Sequence, residues 1–166
     1  MKKYLNFLKN KKNIFSIFLV ISVFLLDRYS KNLIINIELS NGGRIYINDF
    51  LNFDLIWNSG IGFGLLNLDA SILYHIISLI IITVILVIIY LIVKDDGNEK
   101  LYYSLILGGA IGNCYDRIVY YSVPDFIDLH IDDYHWFTFN IADIFITVGI
   151  ILLIFKEVFI KENEKN

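Results

Sequence analysis

The chain has 166 residues, of which 57% are hydrophobic and 19% charged, with one proline and a mean hydropathy of +0.62. This composition is far too apolar for an ordinary soluble domain, and the length suits one domain. A single cysteine, Cys114, excludes an internal disulfide and a cysteine-rich metal site, and the net charge of -3 says little by itself. We therefore predict one membrane-embedded domain over residues 1–166.

Four apolar segments approach the length of about 20 mostly apolar residues that a membrane-spanning helix needs. We predict spanning helices at about 13–35, 71–93, 101–121 and 136–158. The first follows a lysine-rich start, as in a secretory signal peptide, but Asp27 to Lys31 stands where a small-residue cleavage site would be expected. We therefore predict that the first helix is retained.

Positive charges predict the orientation, because the cytoplasmic loops of membrane proteins collect Lys and Arg. Ten of the 14 basic residues lie before the first helix, between the second and third, or after the fourth: Lys2, Lys3, Lys9, Lys11, Lys12, Lys94, Lys100, Lys156, Lys161 and Lys165. The loops at about 36–70 and 122–135 hold only Arg44. Both termini are therefore predicted to be cytoplasmic, and both of these loops to face outward.

The first outer loop is predicted to be β-rich, at about 38–66. Leu51 to Leu55 alternates apolar and polar residues as a half-buried strand does, and Arg44 to Ile47 is its predicted partner. A glycine-rich turn follows at Asn58 to Gly64. The predicted fold class is thus an all-α polytopic membrane protein with four transmembrane helices and a small β-sheet on the outer membrane surface.

Two carboxylates stand near the outer ends of apolar segments. Asp125 follows Pro124, and Asp143 lies seven residues after Trp136, roughly 10 Å below the start of that segment at about 1.5 Å per residue. Two close, poorly solvated carboxylates share a proton, so that one can act as a base toward water and the other as an acid. Such a dyad suits peptide hydrolysis. The alternatives are a solvated loop position for Asp125 and, for Asp143, a helix cap or an ion pair with Arg117 or Lys31.

Other polar groups have simpler interpretations. The glycines of Gly108 to Asn113 would allow close approach of a helix or a substrate, and Asp27 and Lys31 have the spacing of an i,i+4 pair. The histidines show no metal-ligand spacing. Five residues of the second outer loop are expected to be solvated: Asp128, His130, Asp132, Asp133 and His135.

Five short motifs follow one another along the chain. Asp27 to Lys31 is similar to the pattern D-x-x-[ST]-K, and Asn58 to Phe63 to N-x-G-x-[AS]-F. Gly108 to Arg117 is similar to G-G-A-[IL]-G-N-x-x-D-R. Val123 to Phe126 and Phe139 to Asp143 are similar to V-x-D-F and F-N-x-A-D. With these five motifs in this order, the chain resembles the bacterial lipoprotein signal peptidases, or signal peptidase II.

The resemblance implies an aspartic endopeptidase of the bacterial inner membrane, with its active site near the outer, periplasmic face. Such enzymes cut a prolipoprotein just before its lipid-modified cysteine and need no metal or other cofactor. The catalytic pair carries over to Asp125 and Asp143. Positions that bind substrate or shape the site match Asn58, Gly60, Asn113, Arg117 and Asn140, and those that support the scaffold match Asp27, Lys31 and Asp116.

The sequence departs from the family pattern at two positions. Gly62 stands where the family has Ala or Ser, which would loosen the loop over the site. Pro124, just before Asp125, fixes the backbone more than the usual Val or Ile.

The expected partners are lipid-modified prolipoproteins and membrane lipid, with the chain acting as a monomer. A nucleic-acid partner is not expected, because the lysines form no separate basic face. One alternative function is a proton-coupled transporter that uses the paired acids as a relay, but inverted repeats and broken helices are not evident. Another is a phosphotransferase with carboxylate-bound Mg²⁺, which would need clustered acids on the cytoplasmic side.

Overall fold

The computed structural model describes residues 10–60, 70–95, 97 and 99–160, and the fold of this part of the chain is mostly helical with a small antiparallel sheet. Its α-helices in chain order are α1 (Lys11–Asn41), α2 (Ala70–Lys94), α3 (Glu99–Tyr120) and α4 (Ile141–Phe155). A π-helical turn, Lys156–Ile160, continues α4. The side chain of Asn10 caps α1 by accepting a hydrogen bond from the Lys12 N–H at 2.9 Å.

Helix α3 lies at the centre of the bundle, in contact with α1, α2 and α4. Its glycines make this close packing possible. A Cβ atom added at Gly109 would lie 2.5 Å from the carbonyl oxygen of Ala142 in α4, and one at Gly112 would lie 2.5 Å from Asp27 Oδ2 in α1. The predicted close approach at this glycine run is therefore confirmed, with neighbouring helices on both sides.

The outer faces of the helices are strongly apolar. Two described helical stretches, Lys11–Ser40 and Tyr74–Lys94, are long and apolar enough to cross a membrane, and only 6% of the most apolar part of the second is buried. Leu79 and Leu86 are 65% and 62% exposed. Apolar faces of this extent need apolar surroundings, because water would penalise them heavily. The chain is a membrane protein.

The sheet has four strands in the order β1-β2-β3-β4, and every neighbouring pair is antiparallel. The strands are β1 (Ile45–Asn48), β2 (Leu51–Asn58), β3 (Val123–Ile131) and β4 (Tyr134–Phe139). In the register of the central pair, Ile56 faces Asp125 and Asn58 faces Val123. The sheet thus brings the loop after α1 together with the segment between α3 and α4.

Three predictions of secondary structure need correction. The fourth helix was expected to begin at about 136, but residues 134–139 form β4 and the helix begins at Ile141, where Asn140 caps it. The first helix continues to Asn41 rather than ending near 35, so the β-rich region begins at 45 rather than 38. The segment from Val123 to Ile131, interpreted as a loop, is a strand.

Candidate active site

The carboxylate of Asp125 is buried in the sheet, with a relative exposure of 4%. Strand β3 presents it between two side-chain amides, which both donate hydrogen bonds to it. Asn58 Nδ2 lies 2.8 Å from Asp125 Oδ2, and Asn140 Nδ2 lies 2.6 Å from Oδ1. The alternative of a solvated loop aspartate is therefore wrong.

Asp143 lies in the first turn of α4, where it forms a reciprocal capping box with Asn140. Asn140 Oδ1 accepts from the Asp143 N–H, and Asp143 Oδ2 accepts from the Asn140 N–H, each at 3.1 Å. The helix-cap interpretation is thus correct. The predicted position of Asp143, roughly 10 Å from the start of its helix at about 1.5 Å per residue, is wrong because the helix begins at Ile141. A further donor from α3, Asn113 Nδ2, lies 2.8 Å from Asp143 Oδ1.

Asn140 links the two carboxylates. Its side-chain amide donates to Asp125 while its carbonyl oxygen and backbone N–H hold Asp143. The side chain of Asn140 is itself completely buried. Asn140, at the junction of β4 with α4, therefore joins Asp125 and Asp143 in one polar cluster.

The electrostatic environment of Asp125 favours its neutral form. The pKa of Asp125 is raised to about 6, chiefly by burial and also by the nearby charge of Asp143. Hydrogen bonds from Asn58 and Asn140 oppose it, as does the charge of Lys31. An acid that is half protonated near pH 6 can donate a proton under mild conditions.

A buried cluster of charges lies beside this site. Lys31 Nζ contacts Asp27 at 2.9 Å and Asp116 at 2.7 Å, which confirms the predicted Asp27–Lys31 pair and adds a partner from α3. Arg28, which the sequence analysis did not single out, contacts both acids as well. Each of Asp27, Lys31 and Asp116 has a relative exposure of 0%.

The charge cluster is connected to the Asp143 side of the site by two hydrogen bonds. Lys31 Nζ donates to Asn113 Oδ1 at 2.9 Å, which orients the Asn113 amide so that its Nδ2 faces Asp143. Asp27 Oδ1 accepts from the Ala142 N–H at 3.0 Å, in the first turn of α4. The charged side chains of Lys31 and Asp27 in α1 therefore hold in place Asn113 and Ala142, the two residues next to Asp143.

Gly60 and Arg117 lie at the edge of the site. The Gly60 N–H donates to Asn58 Oδ1 at 2.8 Å, and its φ of +76° favours glycine. Arg117 Nη1 donates to the carbonyl of Asn113 at 3.2 Å, whereas its buried Nε has no hydrogen-bond partner within the part of the chain that the structure describes. The predicted loop over the site, Asn58 to Phe63, lies partly outside the described residues, because the structure describes Asn58 to Gly60 and not residues 61–69.

The expected solvated rim is only partly exposed. Asp132 and Asp133, in the turn of the β3–β4 hairpin, are exposed as predicted. Asp128 and His130 are buried, with relative exposures of 2% and 9%, because their side chains point inward from β3. Asp128 accepts a hydrogen bond from His135 on β4 at 2.8 Å, so two histidines that are five residues apart in sequence meet across the hairpin.

Comparison with known proteins identifies the family. Residues 19–159 match the family model described as Signal peptidase (SPase) II. The chain is 48% identical over 162 residues to a lipoprotein signal peptidase of Pelagibacter ubique (strain HTCC1062), covering 95% of this chain and 98% of the relative. The chain belongs to the signal peptidase II family. A lipoprotein signal peptidase of Aquifex aeolicus (strain VF5) is 40% identical, over 89% of this chain and 88% of that relative.

Solved structures agree with this membership. Two structures of bacterial membrane enzymes resemble the chain with TM-scores of 0.71 and 0.68, at 30% and 29% identity. The first covers 87% of this chain and 92% of its own, and the second 89% and 90%. A peptidase is therefore favoured over the transporter and the phosphotransferase, and the resemblance found in the sequence is confirmed.

Proposed function

We propose that this member of the signal peptidase II family is an aspartic endopeptidase that releases the signal peptide of lipid-modified prolipoproteins, cutting immediately before the modified cysteine. Asp125 and Asp143 form its catalytic dyad. The observation that carries the proposal is the double contact of Asn140, which hydrogen-bonds to both carboxylates. The names of the relatives support the substrate class, because those proteins are lipoprotein signal peptidases.

The different surroundings of the two acids suggest different roles. Asp125 is the proposed acid, because burial raises its pKa to about 6 and keeps its proton available. Asp143 is the proposed base, since the N-terminal end of α4 and the donors from Asn113 and Asn140 stabilise a negative charge. Pairs of carboxyl groups in contrasting environments divide the acid and base roles in this way.

The proposed reaction is a hydrolysis without a covalent intermediate. Asp143 takes a proton from a water molecule, whose oxygen attacks the carbonyl carbon of the scissile peptide bond. Asp125 gives its proton to the carbonyl oxygen, which forms a neutral tetrahedral intermediate. As this intermediate collapses, Asp143 gives the proton that it took from water to the departing nitrogen, and Asp125 takes a proton back from a hydroxyl of the intermediate. Both acids are thereby returned to their starting protonation states. The products are a signal peptide with a free carboxyl group and a lipoprotein with a free amino group on its cysteine.

The neighbouring polar residues are proposed to position the substrate. Asn58 and Asn140 donate to Asp125, Gly60 donates to Asn58, and Asn113 donates to Asp143. Arg117 has a buried Nε without a partner among the described residues, and we propose that it donates to a substrate carbonyl. A donor at such a position would orient the peptide and polarise it toward attack.

We propose that all four helices span the bacterial inner membrane, with both termini in the cytoplasm and the dyad near the outer face. Helix α4 has 15 residues, and with the 5 of the π-helical turn it has the roughly 20 that a span requires. The distribution of Lys and Arg supports the orientation. A lipid chain on the substrate cysteine would then remain among the helices while the scissile bond lies beside the dyad.

The proposal is tested with purified protein in detergent, incubated with a lipidated precursor peptide. Mass spectrometry should find a signal peptide that ends just before the modified cysteine. A matched precursor without lipid should be cut far more slowly, and a metal chelator should leave the rate unchanged. Cleavage at another bond, or loss of activity in chelator, would contradict the proposed reaction.

A further inference from the structure

The β3–β4 hairpin carries a cluster of metal-ligand side chains that the proposed dyad does not use. Asp128 and His130 lie on β3, and His135 lies opposite His130 on β4. One potential ligand atom from each of the three lies within 4.8 Å of the other two. We propose that Asp128, His130 and His135 form a binding site for a divalent transition-metal ion of the zinc class.

The distances fit a metal with little rearrangement. His135 Nδ1 lies 2.8 Å from Asp128 Oδ2, and His130 Nδ1 lies 3.8 Å from the same oxygen. Ligand atoms on a tetrahedral zinc ion, at about 2.0–2.2 Å from the metal, lie roughly 3.3 Å apart. Small rotations of the side chains therefore bring all three donors to bonding distance.

The set of donors selects the class of metal. Two imidazoles with one carboxylate suit zinc and its first-row neighbours, whereas Mg²⁺ and Ca²⁺ prefer oxygen ligands alone. Three protein ligands leave a fourth position for water. A cavity of about 300 Å³ borders His130, and the other side chains that line it are apolar or aromatic.

Burial strengthens the case for a ligand. The Asp128 carboxylate is 2% exposed, and its partner His135 is 38% exposed. A buried carboxylate is stable only when a cation or several donors balance it. A metal ion shared with the two histidines would supply that charge.

Asn52 provides a second, independent observation. Its side chain is 3% exposed and its Oδ1 has no hydrogen-bond partner among the described residues. Its Nδ2 lies 3.4 Å from both ring nitrogens of His130. Rotation of the carboxamide by half a turn would let Oδ1 accept from one ring N–H of His130 and leave the other nitrogen for the metal. Metal-bound histidines usually have such a supporting acceptor.

The proposed ion would join β3 to β4 and stabilise the hairpin without taking part in hydrolysis. Asp125 lies on the same strand, but its hydrogen-bond partners are Asn58 and Asn140, outside the metal cluster. The proposed site and the dyad can therefore be tested separately.

The test is a zinc titration of tag-free protein in detergent, by calorimetry and by competition with a chromophoric chelator. The wild type should bind one Zn²⁺ in the presence of excess Mg²⁺, and bound Zn²⁺ should raise Tm. His130→Gln and His135→Gln should each weaken binding by about tenfold or more. His135→Gln is at a more exposed position and keeps a donor for Asp128, so its loss of zinc binding reports on the metal site independently of the folding of the buried His130→Gln variant.

The controls remove three other side chains that can ligate a metal. His75→Gln removes the third of the 3 histidines, Cys114→Ser the only thiol, and Asp125→Asn one acid of the dyad. Each should keep stoichiometric zinc binding. The proposal is overturned if the wild type binds no stoichiometric zinc, if binding survives both histidine substitutions, or if a control variant abolishes it.

Discussion

Asn140 has two separable roles, since its side chain caps α4 and also holds Asp125. Asn140→Ala removes both and should lower the free energy of unfolding by about 0.5–2 kcal/mol, the usual effect of losing an N-cap. Asn140→Ser keeps a capping oxygen but is too short to reach Asp125. We expect the Ser variant to regain most of the stability while kcat stays roughly tenfold to a hundredfold below wild type, because a hydrogen bond to a carboxylate is lost.

Thermal unfolding and cleavage kinetics, measured side by side, distinguish the two roles of Asn140. Recovery of kcat together with Tm in the Ser variant would leave Asn140 with a capping role alone.

The raised pKa of Asp125 predicts a pH-dependent stability. Its pKa is 3.8 in an unfolded chain and about 6 in the folded protein, so the folded state binds more protons between these values. The contribution to stability is complete below about pH 4 and is lost as the pH rises through 6. Asp125→Asn cannot titrate, so its Tm should fall less than that of the wild type between pH 4.5 and 7.5. Parallel Tm curves for the two proteins would show that Asp125 does not have a raised pKa.

The helices and the strands differed in how well the sequence predicted them. Long apolar runs located the four α-helices of the part of the chain that the structure describes, because an apolar stretch of that length is a strong signal. The strands β3 and β4 were missed although Ile127 to Ile131 alternates apolar and polar residues. The side chains of β3 have the reverse of the usual orientation, since the polar Asp128 is buried and the apolar Ile131 is 63% exposed. Polar side chains were expected to face the solvent, so this segment was interpreted as a solvated loop.

The residues of the candidate site could be predicted from the sequence, but the hydrogen bonds and ion pairs that connect them could not. The motif resemblance selected Asp125, Asp143 and the amides beside them. That Asn140 contacts both acids follows from the junction of β4 with α4, which the hydropathy pattern hid inside an apolar segment. The second cation of the buried charge cluster, Arg28, was missed because its partner Asp116 is 88 residues away in sequence.

The packing of α3 on α4 gives a prediction about Gly109. An added Cβ would meet the Ala142 carbonyl oxygen at 2.5 Å, next to Asp143 in the capped turn. Gly149, on α4, offers a matched control, since a Cβ there would meet Ile106 Cγ1 at 2.6 Å. Both Gly→Ala variants should lose about 1–3 kcal/mol of stability through overpacking. Gly109→Ala alone should also lower kcat by about tenfold or more, because displacement of Asp143 misaligns the dyad. Equal kcat values in the two folded variants would count against this coupling.

The orientation of the whole molecule in the membrane can be tested by thiol labelling. In a Cys114→Ser background, Arg44→Cys introduces a thiol next to the sheet and Lys94→Cys introduces one at the end of α2. An impermeant thiol reagent added to intact cells should label position 44, because that loop is proposed to face outward. Position 94 should be labelled only after lysis. The reverse pattern would invert the proposed topology.

The requirement for both acids of the dyad is the central claim about this member of the signal peptidase II family, and single-turnover cleavage by Asp125→Asn and Asp143→Asn tests it most directly. Each variant should lose at least about a hundredfold in rate, since each carboxyl group supplies one proton transfer. Asp54→Asn, which affects only the exposed pair with Arg44, serves as the control and should keep nearly full activity. Near wild-type cleavage by either dyad variant, folded and bound to the lipidated precursor, would contradict the account.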